Sequence, residues 1–238
     1  MEIKLKQRRV SYKVSNQGFT LVELLIGMVV SLLAMGAIYS TFLSQHRSYH
    51  DQEEIAAMQQ NLRAAMFYMQ REIRMAGCDP LRTENIGFTT AKALANSITF
   101  TEDIRGNNPG DPPDGDINDP NEDITYTLVD SDADGVLDQL VRNNQPVAQN
   151  IDALDFVYLN GSSVVLNPGG GNVPAGSENQ IRSVEITVVA RTGRSLTPTT
   201  DNNTYLNQRG TTILAPPNDN LSRRRLTSFI KCRNIGLY

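Results

Sequence analysis

The chain has 238 residues, a formal net charge of −4 at pH 7 and two cysteines. Its first 18 residues hold five basic residues and one acid, about +4, so the remainder is near −8, which argues against non-specific nucleic-acid binding by that remainder. Once the N-terminal basic and apolar segments are set aside, the length is enough for one globular domain of ordinary size.

The first predicted elements are a short basic leader, residues 1–18, and an apolar run that extends to about Leu43. One acid, Glu23, interrupts the run four residues after Phe19. A charged side chain costs about 2.5–3.5 kcal/mol at the centre of an inserting helix. Such an acid therefore indicates a function and needs a partner. A cut between Gly18 and Phe19 would place a new α-amino group one helical turn from Glu23, in the same or a neighbouring subunit.

The sequence around this cut reads Gly18-Phe19-Thr20-Leu21-Val22-Glu23. With its basic leader it resembles the processing site of type IV pilins and of the pseudopilins of type II secretion. The resemblance implies that a prepilin peptidase cuts after Gly18 and methylates the new N-terminal Phe19. It also implies that Glu23 guides each subunit into the filament. The alternative is a signal-anchor helix that carries an acid by chance.

The charge of the leader predicts the orientation of the chain. Lysine and arginine favour the cytoplasmic side of a membrane, so the leader should stay in the cytoplasm. The predicted cut precedes the apolar run, so the run is retained, unlike that of an ordinary secretory signal. We expect one pass through the bacterial inner membrane, in contact with lipid, with everything after about Leu43 outside the cytoplasm. The resemblance implies a later location in a pilus at the cell surface.

One long helix is predicted from residue 19 to about residue 76, because this stretch contains no proline. Its first part, residues 19–43, is long enough to span a bilayer. Its second part, residues 44–78, is amphipathic, and Gly77 and Pro80 end it. Apolar residues at steps of three and four should pack on the globular domain: Ile55, Met58, Leu62, Met66, Met69, Ile73 and Ala76.

Residues 79–238 are predicted to form an antiparallel β-sheet domain. The predicted strands are residues 98–100, 124–129, 137–142, 151–159, 184–190 and 226–233. Each has one apolar face, which favours a sheet covered on one side by the amphipathic half of the helix. The predicted fold class is therefore α+β, the type IV pilin-like layout that the resemblance implies. Polar loops are predicted at residues 106–121, 167–179 and 197–210.

A candidate metal site lies in an Asp-rich stretch, Asp130-Ser131-Asp132-Ala133-Asp134-Gly135-Val136-Leu137-Asp138, which matches the first part of an EF-hand calcium loop. Oxygen ligands suit calcium, and the predicted ligands are Asp130, Asp132, Asp134, the carbonyl of Val136, and Asp138. The twelfth position is Val141 instead of Glu, so another ligand is needed. Its possible sources are Asp114, Asp116 and Asp119. The alternative is an Asp/Gly-rich hairpin turn without metal, and no cofactor is otherwise expected.

The two cysteines are Cys78, at the predicted helix end, and Cys232, in the last predicted strand. The compartment outside the cytoplasm permits a disulfide. A bond would tie the end of the domain to the helix and contribute about 4–5 kcal/mol on the entropic account. The alternative is two small buried residues that never meet.

A basic run, Arg223-Arg224-Arg225, enters the last predicted strand. Its usual meaning is a solvated edge, and its alternative meaning is an interface with acidic loops of a neighbouring subunit. For catalysis the sequence offers no nucleophile elbow, phosphate loop or paired Cys/His ligands. We therefore predict that the protein is not an enzyme, with a membrane-anchored enzyme as the alternative.

Further segments are similar, in order along the chain, to the large minor pilins of the PilW family. They include Gln59-Gln60-Asn61-Leu62-Arg63, Asp123-Ile124-Thr125-Tyr126-Thr127-Leu128, Ile151-Asp152-Ala153-Leu154-Asp155-Phe156 and Arg223-Arg224-Arg225-Leu226-Thr227-Ser228-Phe229. The resemblance implies a minor pilin that primes pilus assembly at or near the tip. Its partners would be other minor pilins, the major pilin and the inner-membrane assembly platform. The alternatives are a J-type pseudopilin of type II secretion and a tip adhesin that binds through the loops at 106–121 and 167–179.

Overall fold

The computed structural model describes residues 18–83, 86–88, 92–196 and 200–236. Apart from Gly18, the predicted leader lies outside these residues. The chain divides into two compact units, Met1–Tyr49 and His50–Tyr238. The long helix α1 spans Leu21–Ile73 and contributes to both.

In the first unit, the described chain has no regular secondary structure at residues 18–20 and then enters α1. The helix begins two residues later than predicted, because Thr20 acts as its N-cap. Nearly all side chains of α1 up to Tyr49 are exposed, including the large apolar ones between Leu21 and Leu43. By length and composition, α1 is the one described helix that could cross a membrane.

In the second unit, the predicted apolar stripe of α1 is confirmed as core. Six of its seven residues are buried, and the seventh, Ile55, packs against them. The helix ends at Ile73, and a turn continues to Gly77. Gly77 has a φ of +76°, and a Cβ there would come within 2.6 Å of the Ile235 side chain. A residue with a side chain would therefore both strain the turn and displace the C-terminal segment.

Nine strands follow in the described chain: β1 (Ser97–Thr101), β2 (Asp123–Val129), β3 (Gln139–Arg142), β4 (Gln145–Gln149), β5 (Ile151–Leu159), β6 (Ser183–Arg191), β7 (Tyr205–Leu206), β8 (Thr212–Leu214) and β9 (Arg223–Lys231). They form a four-stranded sheet in the order β1-β2-β3-β4, a three-stranded sheet β5-β6-β9 and a hairpin β7-β8. All the pairings are antiparallel. The predicted α+β architecture is confirmed.

The sequence analysis missed β4, β7 and β8. Strand β4 contains Pro146 and lies at the edge of its sheet, where proline is tolerated but weakens any strand pattern. Strands β7 and β8 are two and three residues long, too short for a periodic signal. They lie within or just after the segment 197–210 that was predicted to be a loop.

The expectation that every strand has a single buried face is wrong for β5 and β6. Nearly every residue of these two strands is buried, on both faces. The second face carries polar side chains that are covered by the β7–β8 hairpin: Asn207 Nδ2 donates to Asp155 Oδ2 at 3.0 Å, and Arg209 Nε donates to Glu185 Oε2 at 2.8 Å. Because the side chains on this second face are polar, the sequence pattern did not indicate that the face is buried.

Candidate functional site

The predicted cleavage site lies just before α1, in a segment without regular secondary structure. Gly18, Phe19 and Thr20 precede the helix, and the Phe19 side chain is 90% exposed. Among the described residues, no atom lies within 4 Å of a Cβ built on Gly18. The bond between Gly18 and Phe19 therefore lies outside the helix.

Glu23 lies in the first turn of α1 and is bound by Thr20. Its Oε2 accepts the Thr20 N–H at 2.9 Å and the Thr20 hydroxyl at 2.8 Å, and the Thr20 hydroxyl accepts the Glu23 N–H at 3.2 Å. This reciprocal arrangement is a capping box, which satisfies backbone N–H groups that a helix start leaves without partners. The sequence analysis missed it, although the spacing Thr-Xaa-Xaa-Glu signals it.

The helix behind Glu23 presents apolar side chains on every side. Leu24, Ile26 and Leu33 are each more than half exposed. Its hydroxyl groups bond to the helix itself; Ser31 Oγ, for example, donates to the Gly27 carbonyl at 2.7 Å. A continuous apolar surface of this kind is rare on a soluble monomer and indicates contact with lipid or with other apolar helices.

Comparison with known families agrees with this geometry. Residues 13–39 match a family described as the prokaryotic N-terminal methylation motif. This methylation motif contains the predicted cut, Phe19 and Glu23, together with the first turns of α1. It covers a minor part of the chain and says nothing about the sheets.

Among solved structures, the chain is similar to the type IV-like pilin TTHA1219 from Thermus thermophilus. The two are 12% identical, with a TM-score of 0.43 over 74% of this chain and 95% of the other. We draw no conclusion from a likeness at that level. The curated proteins gave no match.

In the Asp-rich loop between β2 and β3, backbone N–H groups donate to the carboxylate of Asp130. Asp130 accepts the N–H groups of Ala133 and Gly135, each at 2.7 Å, and the Gly135 N–H is the main cause of a lowered pKa of this carboxyl. Ligand oxygens of Asp130, Asp132 and Asp134 lie within 4.8 Å of one another. Oxygens bound to one calcium ion are separated by at most about twice the ligand distance of 2.3–2.6 Å. The spacing of the three side chains is therefore compatible with the predicted calcium site.

The remaining predicted ligands of this loop are less well placed. Asp138 accepts the Ser131 N–H at 3.1 Å and lies 3.7 Å from the Arg191 guanidinium, which offsets its charge. Val136 is exposed, with its N–H bonded to Asp134 at 2.8 Å. The twelfth position, Val141, is buried within β3.

The suggested extra ligands form a group of their own. Asp114, Asp116 and Asp119 have ligand oxygens within 4.8 Å of one another, in a group separate from that of Asp130.

The two cysteines are free thiols in the structure, so the predicted disulfide is not formed in it. Cys78 is half-buried and Cys232 is buried. Burial raises the pKa of both thiols, that of Cys232 to about 12. The C-terminal segment nevertheless lies against the helix end, since Asn234 Nδ2 donates to the Met75 carbonyl at 3.1 Å.

The interpretations of the basic run are wrong for Arg223, whose side chain is only 4% exposed. Its Nε donates to Asp152, both of its terminal nitrogens donate to Asp219 at 2.6 Å, and Nη1 lies 3.3 Å from Asp201. Arg223 is thus neutralised within its own chain and is not available to a neighbouring subunit. The reason is largely tertiary, because β5 brings Asp152 and a separate segment brings Asp201 to the start of β9, where Asp219 is already close in sequence.

A second buried network joins α1 to the four-stranded sheet and was not predicted. Arg142 Nε donates to Glu72 Oε2 at 2.8 Å, and the Tyr126 hydroxyl donates to the same oxygen at 2.6 Å. The Arg142 Nη1 also donates to Asn121 Oδ1 at 2.8 Å. Glu72 directly precedes Ile73 of the apolar stripe, and nothing in the local sequence indicates that its partners are Arg142 and Tyr126.

Proposed function

We propose that the protein is a pilin-like filament subunit that is cut after Gly18, methylated on Phe19 and assembled through α1. The observation that carries the proposal is the methylation motif at residues 13–39, followed directly by a helix with an exposed apolar surface. The subunit is structural and not an enzyme. A prepilin peptidase is its processing partner.

The geometry of the first turn supports the role of Glu23. Both bonds from Thr20 go to Oε2 of Glu23, so, within the described residues, Oε1 is free to meet an ammonium group. Cleavage after Gly18 creates such a group on Phe19 without removing Thr20. In lipid the pair of charges is far less costly than the lone carboxylate. The same attraction can act between two subunits as one joins the filament.

The apolar part of α1 gives the subunit its two locations. Before assembly it crosses the inner membrane once, with the second unit outside the cytoplasm. After assembly the same surface contacts the helices of other subunits, where Gly27 and Gly36 allow close approach. No new surface has to be formed when the subunit leaves the lipid.

Within this class we propose a minor pilin of the PilW type that primes assembly near the pilus tip. The ordered similarities along the helix and strands support this assignment. Its partners are other minor pilins, the major pilin and the inner-membrane platform. Co-purification of the full chain from native membranes distinguishes this assignment from a J-type pseudopilin. Other minor pilins would accompany a minor pilin, whereas secretion pseudopilins would accompany a J-type pseudopilin.

The processing step is tested by mass spectrometry of the native protein. We expect an N-methylated Phe19 as the first residue. We expect Glu23→Ala to be absent from sheared filaments, whereas Ser40→Ala, on the same exposed helix, is incorporated normally. A native protein that retains residues 1–18, or a Glu23→Ala subunit that assembles as well as the parent, would contradict the proposal.

We also propose that calcium binds the Asp130 loop through Asp130, Asp132 and Asp134. Their oxygen donors and spacing support it. With the full chain in detergent, calcium should raise the melting temperature, and Asp132→Asn should weaken that rise while Ser131→Ala leaves it unchanged. A Cys78–Cys232 bond stays a prediction, tested by the mass of the exported protein with and without reductant.

A further inference from the structure

The connection between β1 and β2, residues 102–122, buries carboxylates that lack hydrogen-bond partners. Asp103 and Glu122 are both 0% exposed. Oε2 of Glu102, Oδ1 of Asp103, Oδ2 of Asp119 and Oε2 of Glu122 are buried without any hydrogen-bond partner among the described residues. Because buried polar atoms in folded proteins are nearly always hydrogen-bonded, four such oxygens in one connection require an explanation.

Three of these orphan oxygens belong to side chains that face the same loop. Oδ2 of Asp103 accepts the Gly115 N–H at 3.0 Å, so its carboxylate lies against the backbone between Asp114 and Asp116. Gly115 has a φ of +92°, which suits glycine and turns this N–H inward. Ligand oxygens of Asp114, Asp116 and Asp119 lie within 4.8 Å of one another. The Asp103 carboxylate therefore lies beside the backbone of the loop that brings these three carboxylates together.

Glu122 joins the group from the start of β2. Its Oε1 accepts the N–H groups of Ile104 and Arg105, at 2.9 and 3.1 Å, which fixes the carboxylate and leaves Oε2 unused. Glu122 acts on both Asp103 and Asp119 as a like charge. Asp103 and Glu122, both fully buried, are therefore candidate ligands beside the three carboxylates of the loop.

The electrostatics of this group are unfavourable as they stand. Burial, followed by the charges of neighbouring carboxylates, raises the pKa of Asp103 and of Asp119. Arg105 is the cation that acts on Asp119, but its Nε donates to the Gly106 carbonyl at 3.4 Å. Burying ions without a counter-charge is unfavourable. A cation from solution would remove that cost.

We propose that Asp103, Asp114, Asp116, Asp119 and Glu122 form a binding site for a divalent cation, which we name the connection site. Calcium is the expected ion, because all five ligands are carboxylates and calcium accepts six to eight oxygens in flexible geometry. Magnesium fits less well, since it requires near-ideal octahedral geometry and keeps several waters. The connection site is distinct from the Asp130 loop, whose ligand oxygens form their own group.

The position of the connection site indicates what the ion would do. The Asp103 N–H donates to the Cys78 carbonyl at 2.8 Å, just beyond the end of α1. The Glu102 N–H donates to the Glu122 carbonyl at 2.9 Å and closes the two ends of the connection. A bound ion would therefore hold the polar loop at residues 106–121 against the helix end and the edge of the first sheet.

The test uses the full chain in detergent, stripped with a chelator and dialysed against calcium alone. We expect Asp130→Asn, which impairs the other loop, to retain one calcium ion by elemental analysis and a calcium-dependent rise in melting temperature. When Asp119→Asn is added to Asp130→Asn, we expect the calcium affinity of the connection site to fall at least tenfold. Magnesium alone should give a smaller rise than calcium at equal concentration.

Two matched variants keep the test decisive if a buried substitution prevents folding. Asp114→Asn changes an exposed ligand, and Asp111→Asn changes an exposed acid of the same loop outside the group. The first should weaken calcium binding and the second should not. The proposal is overturned if Asp130→Asn binds no calcium, or if Asp114→Asn and Asp119→Asn bind it as tightly as Asp130→Asn alone.

Discussion

Two regions of the second unit bury several carboxylates each, and they treat the charge in opposite ways. Around Arg223, the carboxylates of Asp152, Asp201 and Asp219 surround one buried guanidinium. In the proposed connection site, Arg105 acts on Asp119 but donates to the Gly106 carbonyl, and three carboxylate oxygens have no hydrogen-bond partner among the described residues. The first cluster finds its counter-charge within the chain, whereas our proposal assigns a cation from solution to the second. The two clusters differ in the position of the nearest buried cation and not in acid content.

The largest effect is expected from breaking the complete cluster. Arg223→Met leaves Asp201 and Asp219 without this guanidinium, and it leaves the buried Asp152 with Arg191 alone, whose Nε lies 2.8 Å from Asp152 Oδ1. Removal of one partner from a buried ion pair typically costs about 3–5 kcal/mol. Urea denaturation followed by circular dichroism should show this loss in the free energy of unfolding. Arg224→Met, on the exposed neighbour, should change it little. An equal loss in both variants would mean that Arg223 contributes no more than a surface residue.

A smaller effect is expected at the half-buried pair that joins the helix to the sheet. Glu72→Ala removes the acceptor of Arg142 and of the Tyr126 hydroxyl, and hydrogen bonds to charged groups contribute about 1.5–3 kcal/mol. The midpoint of urea unfolding should fall accordingly. Arg74→Ala, an exposed change two residues away, serves as the control. An unchanged midpoint in Glu72→Ala would show that this network does not stabilise the unit.

In the presence of a chelator, the two clusters should differ most clearly in whether a matched Asp→Asn change lowers or raises the melting temperature. Asp219→Asn removes a partner of Arg223 and should lower the melting temperature. Asp119→Asn removes one of several like charges and should raise it. Added calcium should cancel the gain in Asp119→Asn, because the parent then gains an ion that the variant binds poorly. The same sign in both variants would contradict the distinction between the two clusters.

The smallest effect is a difference in acid stability. Hydrogen bonds from Arg223 lower the pKa of Asp219 in the folded state. A carboxyl whose pKa is depressed by folding adds stability above its unfolded pKa, near 3.9, and that stability is lost as the pH falls further. The melting temperature of the parent should therefore drop more steeply below about pH 4 than that of Asp219→Asn. Equal slopes would show that Asp219 does not titrate as this pairing requires.

Features that depend on neighbouring residues could be predicted well. The step of three and four from Met58 to Ile73 gave the buried face of α1, and the alternation at Ile124 and Tyr126 gave β2. The capping box of Thr20 and Glu23 is equally local and could have been found from its spacing. Strand β4 could not, because Pro146 and an edge position remove the pattern on which such predictions depend.

The sequence by itself determined the processing segment, the apolar helix, its buried stripe and the α+β class, because each depends on residues within a few turns or strand steps. Only the tertiary structure decided which charged side chains are buried and which of them are paired. Arg223 meets Asp152 across 71 residues and Asp201 across 22, and the carboxylates of Asp103 and Glu122 become buried only when the two ends of their connection pair. Which charges find a partner depends on how distant loops fold over the sheets, and no local pattern encodes that.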